Sequence, residues 1–239
     1  MSNLLATAKE NLSFLLICLL VFAALFLVAL GAERLLKTRR SISSARYITV
    51  TAICAAISGV LMVITVPLFF APSFYELDLS ELPVLFCGFF LGPVAGVVCE
   101  LLKVLIKLFL KGTTTAFVGD FANFAIGCSM ILPATILYHV KKSKKSAIVG
   151  LAVGTLTLTV FGSLFNAVYL LPKFAVLYGL PLDAIIAMGA EVNGAVTSVS
   201  TLVLFCVVPF NLLKGCVVSV LTFLLYKRVE KALFRPASV

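Results

Sequence analysis

The sequence predicts an all-α protein integral to a membrane, with one N-terminal transmembrane helix ahead of a six-helix core. Three observations carry that expectation. The chain of 239 residues is 62% hydrophobic and only 12% charged, against about 25% charged in soluble domains. Several windows exceed the roughly 18 uncharged residues that mark a membrane span. Lys and Arg fall in short clusters between the apolar runs, the pattern of loops retained on the cytoplasmic side. A formal net charge of +9 would suit nucleic acid, but no basic patch with interleaved aromatics exists, so no nucleic-acid partner is expected. Trp is absent, leaving Tyr and Phe for any interfacial belt. Cys18, Cys54, Cys87, Cys99, Cys128, Cys206 and Cys216 all lie in apolar stretches, none in a Cys-x-x-Cys pair, and His139 is the one histidine. They read as small buried hydrophobes rather than a metal site or disulfide framework.

Phe14–Ala32 is the first span, 19 uncharged residues, about 28 Å of helix. Arg34, Lys37, Arg39, Arg40 and Arg46 follow it, whereas Lys9 and Glu10 precede it. This asymmetry places its C-terminal end in the cytoplasm and the N-terminus outside. Ala29-Leu-Gly31 is faintly like a signal-cleavage site, but the basic cluster lies on the wrong flank for a signal peptide. The second span runs outward from Tyr47 to Val66, where Pro67 and Pro72 break the helix. Phe69–Pro83 carries Glu76, Asp78 and Glu81 with no Lys or Arg, and reads as external. Leu82–Leu91 returns to a tight cytoplasmic turn at Gly92-Pro93. Val94–Leu110 goes out again with Glu100, Lys103 and Lys107 at helical spacing, an internally paired or snorkelling stripe. After a Thr/Gly loop at Gly112–Asp120, Phe121–His139 descends to the basic loop Lys141-Lys-Ser-Lys-Lys145. Ser146–Leu171 rises to Pro172, leaving Asp183 and Glu191 outside. The chain ends at Lys227, Arg228 and Lys231, on the cytoplasmic side.

The stretch from Val192 to Tyr226 is ambiguous. Its 35 residues would span about 52 Å as helix, more than the roughly 30 Å of hydrocarbon. Two full spans would put the basic C-terminus outside. One final span, Pro209–Tyr226, after an external or partly immersed segment at Ala190–Val208, obeys the charge rule.

Lys214 is the only Asp, Glu, Lys, Arg or His in that stretch. A charge in hydrocarbon costs about 2.5–3.5 kcal/mol even on lenient insertion scales, so it requires a partner or a task. Asn211 lies three residues earlier on the same helical face. Counting rises along the helices puts Asn166, Asn211 and Lys214 at one depth, in the outer half of the core. Polar groups from separate helices at one depth make a candidate outward-facing pocket; the alternative is that each Asn bridges helices independently. No Gly-x-x-x-x-Gly-Lys loop, His-Glu-x-x-His or Gly-x-Ser-x-Gly occurs, and nothing pairs a nucleophile with a base. The chain therefore reads as no enzyme, and ATP-driven work would fall to a partner.

From about Arg46 to Lys231 the chain resembles the substrate-binding (S) components of energy-coupling factor (ECF) vitamin transporters, most closely the riboflavin-specific branch. The segments that carry the resemblance are Leu77-Asp-Leu-Ser-Glu-Leu-Pro83, Gly92-Pro-Val-Ala-Gly96, Asn123-Phe-Ala-Ile-Gly127, Asn166 through Leu171-Pro172, and, most specific, Pro209-Phe-Asn-Leu-Leu-Lys-Gly215. The resemblance implies a six-helix substrate-binding membrane domain over 46–239, with 1–45 as an extra helix and basic linker. It implies riboflavin as transported ligand and no cofactor, in a plasma-membrane assembly with a transmembrane coupling protein and two ATPase subunits. It associates Asn166, Asn211 and Lys214 with the flavin ring, and it leaves Asp78, Ser80 and Glu81 for the ribityl hydroxyls. It also turns Ala52 and Ala56, at small-xxx-small spacing, toward the coupling protein; packing inside the bundle is the competing reading. An S component for another vitamin, or a self-sufficient secondary transporter, are the rival functions; no clear inverted repeat supports the latter.

Overall fold

The computed structural model describes residues 2–37 and 44–234; Arg39 and Arg40 of the basic linker lie outside the described residues. The chain is a helical bundle. Helix α1 (Ser2–Leu35) is followed by α2 (Ala45–Val63), a two-stranded ribbon of β1 (Val66–Pro67) and β2 (Glu76–Leu77), then α3 (Glu81–Leu91), α4 (Pro93–Lys111) and α5 (Val118–Lys141). Helix α6 (Lys144–Phe165) runs through a π-helical turn (Asn166–Leu170) into α7 (Leu171–Tyr178). A separate helix α8 (Leu182–Val192) precedes α9 (Val199–Leu202), a second π turn (Val203–Val207) and α10 (Val208–Phe234). Among the described residues, five helical stretches are long and apolar enough to cross a membrane: Leu16–Leu35, Ala45–Val63, Val118–Lys141, Lys144–Tyr178 and Val199–Lys231.

Helix α3 is different. Its 11 residues rise only about 16 Å, half of a hydrocarbon core. Every residue of it except Leu82 is buried, as expected for a helix apolar all round. Rather than a full span over Leu82–Leu91, the helix covers about half of such a length, and the chain ahead of it, 64–80, runs as ribbon and loop. Ser58, well inside α2, donates from Oγ to the Ser80 carbonyl at 2.7 Å and pins that loop into the bundle. The ribbon, with Val66 opposite Leu77 and Pro67 opposite Glu76, fixes the loop's two ends.

Two prolines that read as helix ends are not. Pro172 and Pro209 each follow a π turn, so α6–α7 and α9–α10 run on as continuous helix, with apolar stretches of 35 residues at Lys144–Tyr178 and 33 at Val199–Lys231. Proline lacks an N–H and crowds the carbonyl four residues back. The wider turn relieves this: Leu171 N–H bonds to the Asn166 carbonyl and Val208 N–H to the Val203 carbonyl, each five residues back. The last helix therefore begins at Val199 rather than Pro209, and Ser146–Leu171 extends to Tyr178. Only α8, with the turns flanking it, stands apart from the two long helices.

Close approaches knit the bundle. Gly150 and Gly154 of α6 face α5, where added Cβ atoms would lie 2.5 Å from the Ala134 carbonyl oxygen and 2.7 Å from that of Met130; this is small-xxx-small packing. Helix α1 docks on α4 and α5. Phe22 meets Phe124 at 6.0 Å between ring centroids, and buried Ala29 joins Val94, Val97 and Cys128 in one apolar cluster. At its end, Glu33 Oε1 accepts from the Val94 N–H at 3.0 Å, capping a buried amide in the first turn of α4. The tight turn before it needs Gly92, whose φ is 123°.

Candidate functional site

Polar side chains meet where the sunken loop reaches α10. Lys214 Nζ lies 2.9 Å from Asp78 Oδ2 and 3.7 Å from Glu81 Oε1. Glu81 Oε1 also accepts from Lys103 Nζ at 3.0 Å, and Lys103 touches Glu100 at 2.6 Å. All five side chains are buried. The loop, α3, α4 and α10 are thereby tied by three carboxylates and two ammonium groups. Glu81 Oε2 and Glu100 Oε2 accept no hydrogen bond within the protein. For Asp78, burial alone would push the carboxyl up; the adjacent Lys214 ammonium, with Lys103 and the Ser80 N–H, outweighs it and holds the group below the usual carboxylate range.

Above this network lies a cavity of about 230 Å³. Asp78, Asn166, Asn211 and Lys214 line it, together with Tyr75 and Phe210. Asn211 Nδ2 donates to Ser163 Oγ at 3.3 Å, and Gly162 lets α10 approach, since a Cβ there would sit 2.9 Å from Asn211 Nδ2. Asn166 opens the first π turn, donating from Nδ2 to the Gly162 carbonyl at 2.7 Å and accepting at Oδ1 from the Tyr75 hydroxyl at 2.7 Å. Another wall carries Lys107, paired with Asp120 at 2.6 Å, beside Asn123 and Thr115.

Of the residues expected from sequence, Asn166, Asn211, Lys214 and Asp78 come together on one cavity. Ser80 and Glu81 do not line it: Ser80 N–H caps Asp78 Oδ1 at 2.8 Å, and Glu81 belongs to the ion network. Ala52 and Ala56 face outward on α2, among exposed Ile48, Ile53, Ile57 and Val60, while Ala55 and Gly59 pack inside. The charged stripe of α4 is internally paired at Glu100 and Lys103, and Lys107 reaches Asp120. Sequence reasoning missed Tyr75 and Ser163. Neither carries a charge or a motif, and both act only across long sequence separations.

Comparison with known proteins agrees with this architecture. Residues 46–226 match the family described as ECF transporter, substrate-specific component. The chain is similar to the riboflavin transporter RibU of Staphylococcus aureus, 37% identical over 80% of this chain and 93% of that protein. It is similar to the riboflavin transporter FmnP of Bacillus subtilis, 28% identical over 77% and 91%. A solved structure of the S component of a bacterial ECF transporter superposes with a TM-score of 0.61 and 35% identity, covering 79% of this chain and 98% of that one. Such proteins are transport components rather than enzymes, and the long apolar helices place this one in the plasma membrane with several passes. The chain belongs to the substrate-specific components of the ECF transporters.

Proposed function

We propose that this chain binds riboflavin in the cavity between α6, α10 and the loop after α2, and delivers it for uptake powered by partner subunits. The observation that carries this reading is the convergence of Asn166, Asn211 and Lys214 on one cavity. A flavin's pyrimidine edge alternates donors and acceptors, and an Asn amide supplies both. Lys214 offers a charge-assisted donor to a ring carbonyl or nitrogen. Tyr75, Phe74 and Phe210 supply apolar ring faces, and Asp78, Asn123 and Thr115 offer polar partners to ribityl hydroxyls. The similarity to two riboflavin transporters favours the same ligand.

In this reading α2, α3, α4, α5, α6–α7 and α9–α10 form a six-helix core opening outward, with α8 as a short helix between the last two, and α1 with its linker (1–45) is an addition to it. The C-terminus is cytoplasmic and the N-terminus external. Ala52 and Ala56 meet the transmembrane coupling protein, which two ATPase subunits drive. The test is a flavin titration of the protein purified in detergent. Saturable quenching of flavin fluorescence is expected. Binding of a different vitamin with no saturable flavin binding would discard the ligand and keep the family.

A further inference from the structure

Tyr75 occupies an unusual place for a loop residue. It is buried, lies just before β2, and is held in a turn by its own N–H bonding to the Pro72 carbonyl at 2.9 Å. Its ring packs against Phe74 at 4.6 Å and Phe210 at 5.4 Å between centroids, and its hydroxyl bonds to Asn166. The chemistry of that bond has one assignment. The Gly162 carbonyl only accepts, so the Asn166 nitrogen must face it; Asn166 Oδ1 is then left toward Tyr75, whose hydroxyl donates.

Two consequences follow from this anchoring. The terminal torsion of an Asn side chain is broad and two-fold, so a single bond to Gly162 would leave the amide plane free to swing; the second bond, from Tyr75, fixes it. The fixed amide retains one N–H and one acceptor lone pair, a pair complementary to an edge where a carbonyl stands beside an N–H. We propose that Tyr75 is a positioning residue for ligand recognition: by holding Asn166 it makes the cavity select a cyclic imide edge, one that bears both a carbonyl and a free N–H. This inference rests on the flavin reading above, since the imide of the isoalloxazine ring is such an edge.

The test uses the full chain in detergent and two probes, riboflavin and riboflavin methylated on the imide nitrogen. Wild type should bind riboflavin and discriminate strongly against the methylated form. Tyr75→Phe keeps the ring packing and removes only the hydroxyl. Its riboflavin Kd should rise about 3–10-fold, the range for one hydrogen bond, and the ratio of the two Kd values should fall by a similar factor. A hydroxyl that served only stability would weaken both ligands alike and leave the ratio unchanged; that result overturns the proposal. A second measurement is the coupling with Asn166→Ala: in that background Tyr75→Phe should cost no further affinity, and full additivity also overturns it. Wild type that binds riboflavin without discriminating the methylated form removes the imide assignment. Wild type that binds no flavin removes the ligand reading itself, and this inference with it.

Discussion

At the scale of single residues, Lys214 is held by Asp78 at 2.9 Å, so its removal has two separable effects. Leaving a buried charge without its partner costs about 3–5 kcal/mol, whereas replacing both members is often near neutral. Lys214→Met should therefore lower the thermal midpoint of the ligand-free protein, and Asp78→Asn/Lys214→Met should recover most of that loss. Equal instability of single and double variants would show that the pair is not what the lysine stabilises. Both variants should bind flavin more than tenfold more weakly. A charge-assisted hydrogen bond is worth about 1.5–3 kcal/mol, and tenfold corresponds to about 1.4. The same pair sets a pH response. Because Asp78 is held below the usual range, its contribution is complete above the unfolded value of about 3.9. It is lost as pH falls through the lower, folded value. Stability scans from about pH 5 to about pH 2 should show an acid-side loss below the unfolded value that Asp78→Asn reduces; an unchanged profile would count against the pairing.

At the scale of elements, α2 and α1 make contrasting predictions. Ala52 and Ala56 face away from the bundle, so Ala52→Trp or Ala56→Trp should leave flavin affinity within about twofold while weakening co-purification with the coupling protein. Loss of affinity with intact assembly would place these residues in the bundle instead. None of the described side chains of α1 lines the cavity, yet Glu33 caps α4 and Phe22 packs on Phe124. Deleting residues 1–40 should keep flavin binding within about threefold and lower the thermal midpoint by several degrees. That is the order expected when a cap of about 1 kcal/mol and an apolar face are lost together. A truncation as stable as the full chain would make the docking energetically idle.

At the scale of the whole molecule, the ion network and the sunken loop join α3, α4 and α10 into one support beneath the cavity. None of these groups is arranged to cradle a nucleotide phosphate. Proteoliposomes holding this chain alone should bind flavin at stoichiometry and show no concentrative uptake; adding the coupling protein and ATPases should restore accumulation that depends on ATP. Accumulation by the lone chain under an ion gradient would reassign it as a secondary transporter.

The sequence by itself determined the helical membrane character, through apolar runs of span length, and most helix positions, through the loops between them. It also singled out Asn166, Asn211 and Lys214, because a polar group is costly in an apolar run and so stands out there. Tertiary structure alone decided what these groups touch. Asp78 reads as an external loop acid, but the shortness of α3 draws it inward to Lys214. Tyr75 carries no sequence signal, because its role is one hydrogen bond across 91 residues. Pro172 and Pro209 carry a signal that misleads. A proline marks a local backbone conflict, and packing of the surrounding helices decides whether that conflict ends a helix or is absorbed by a π turn.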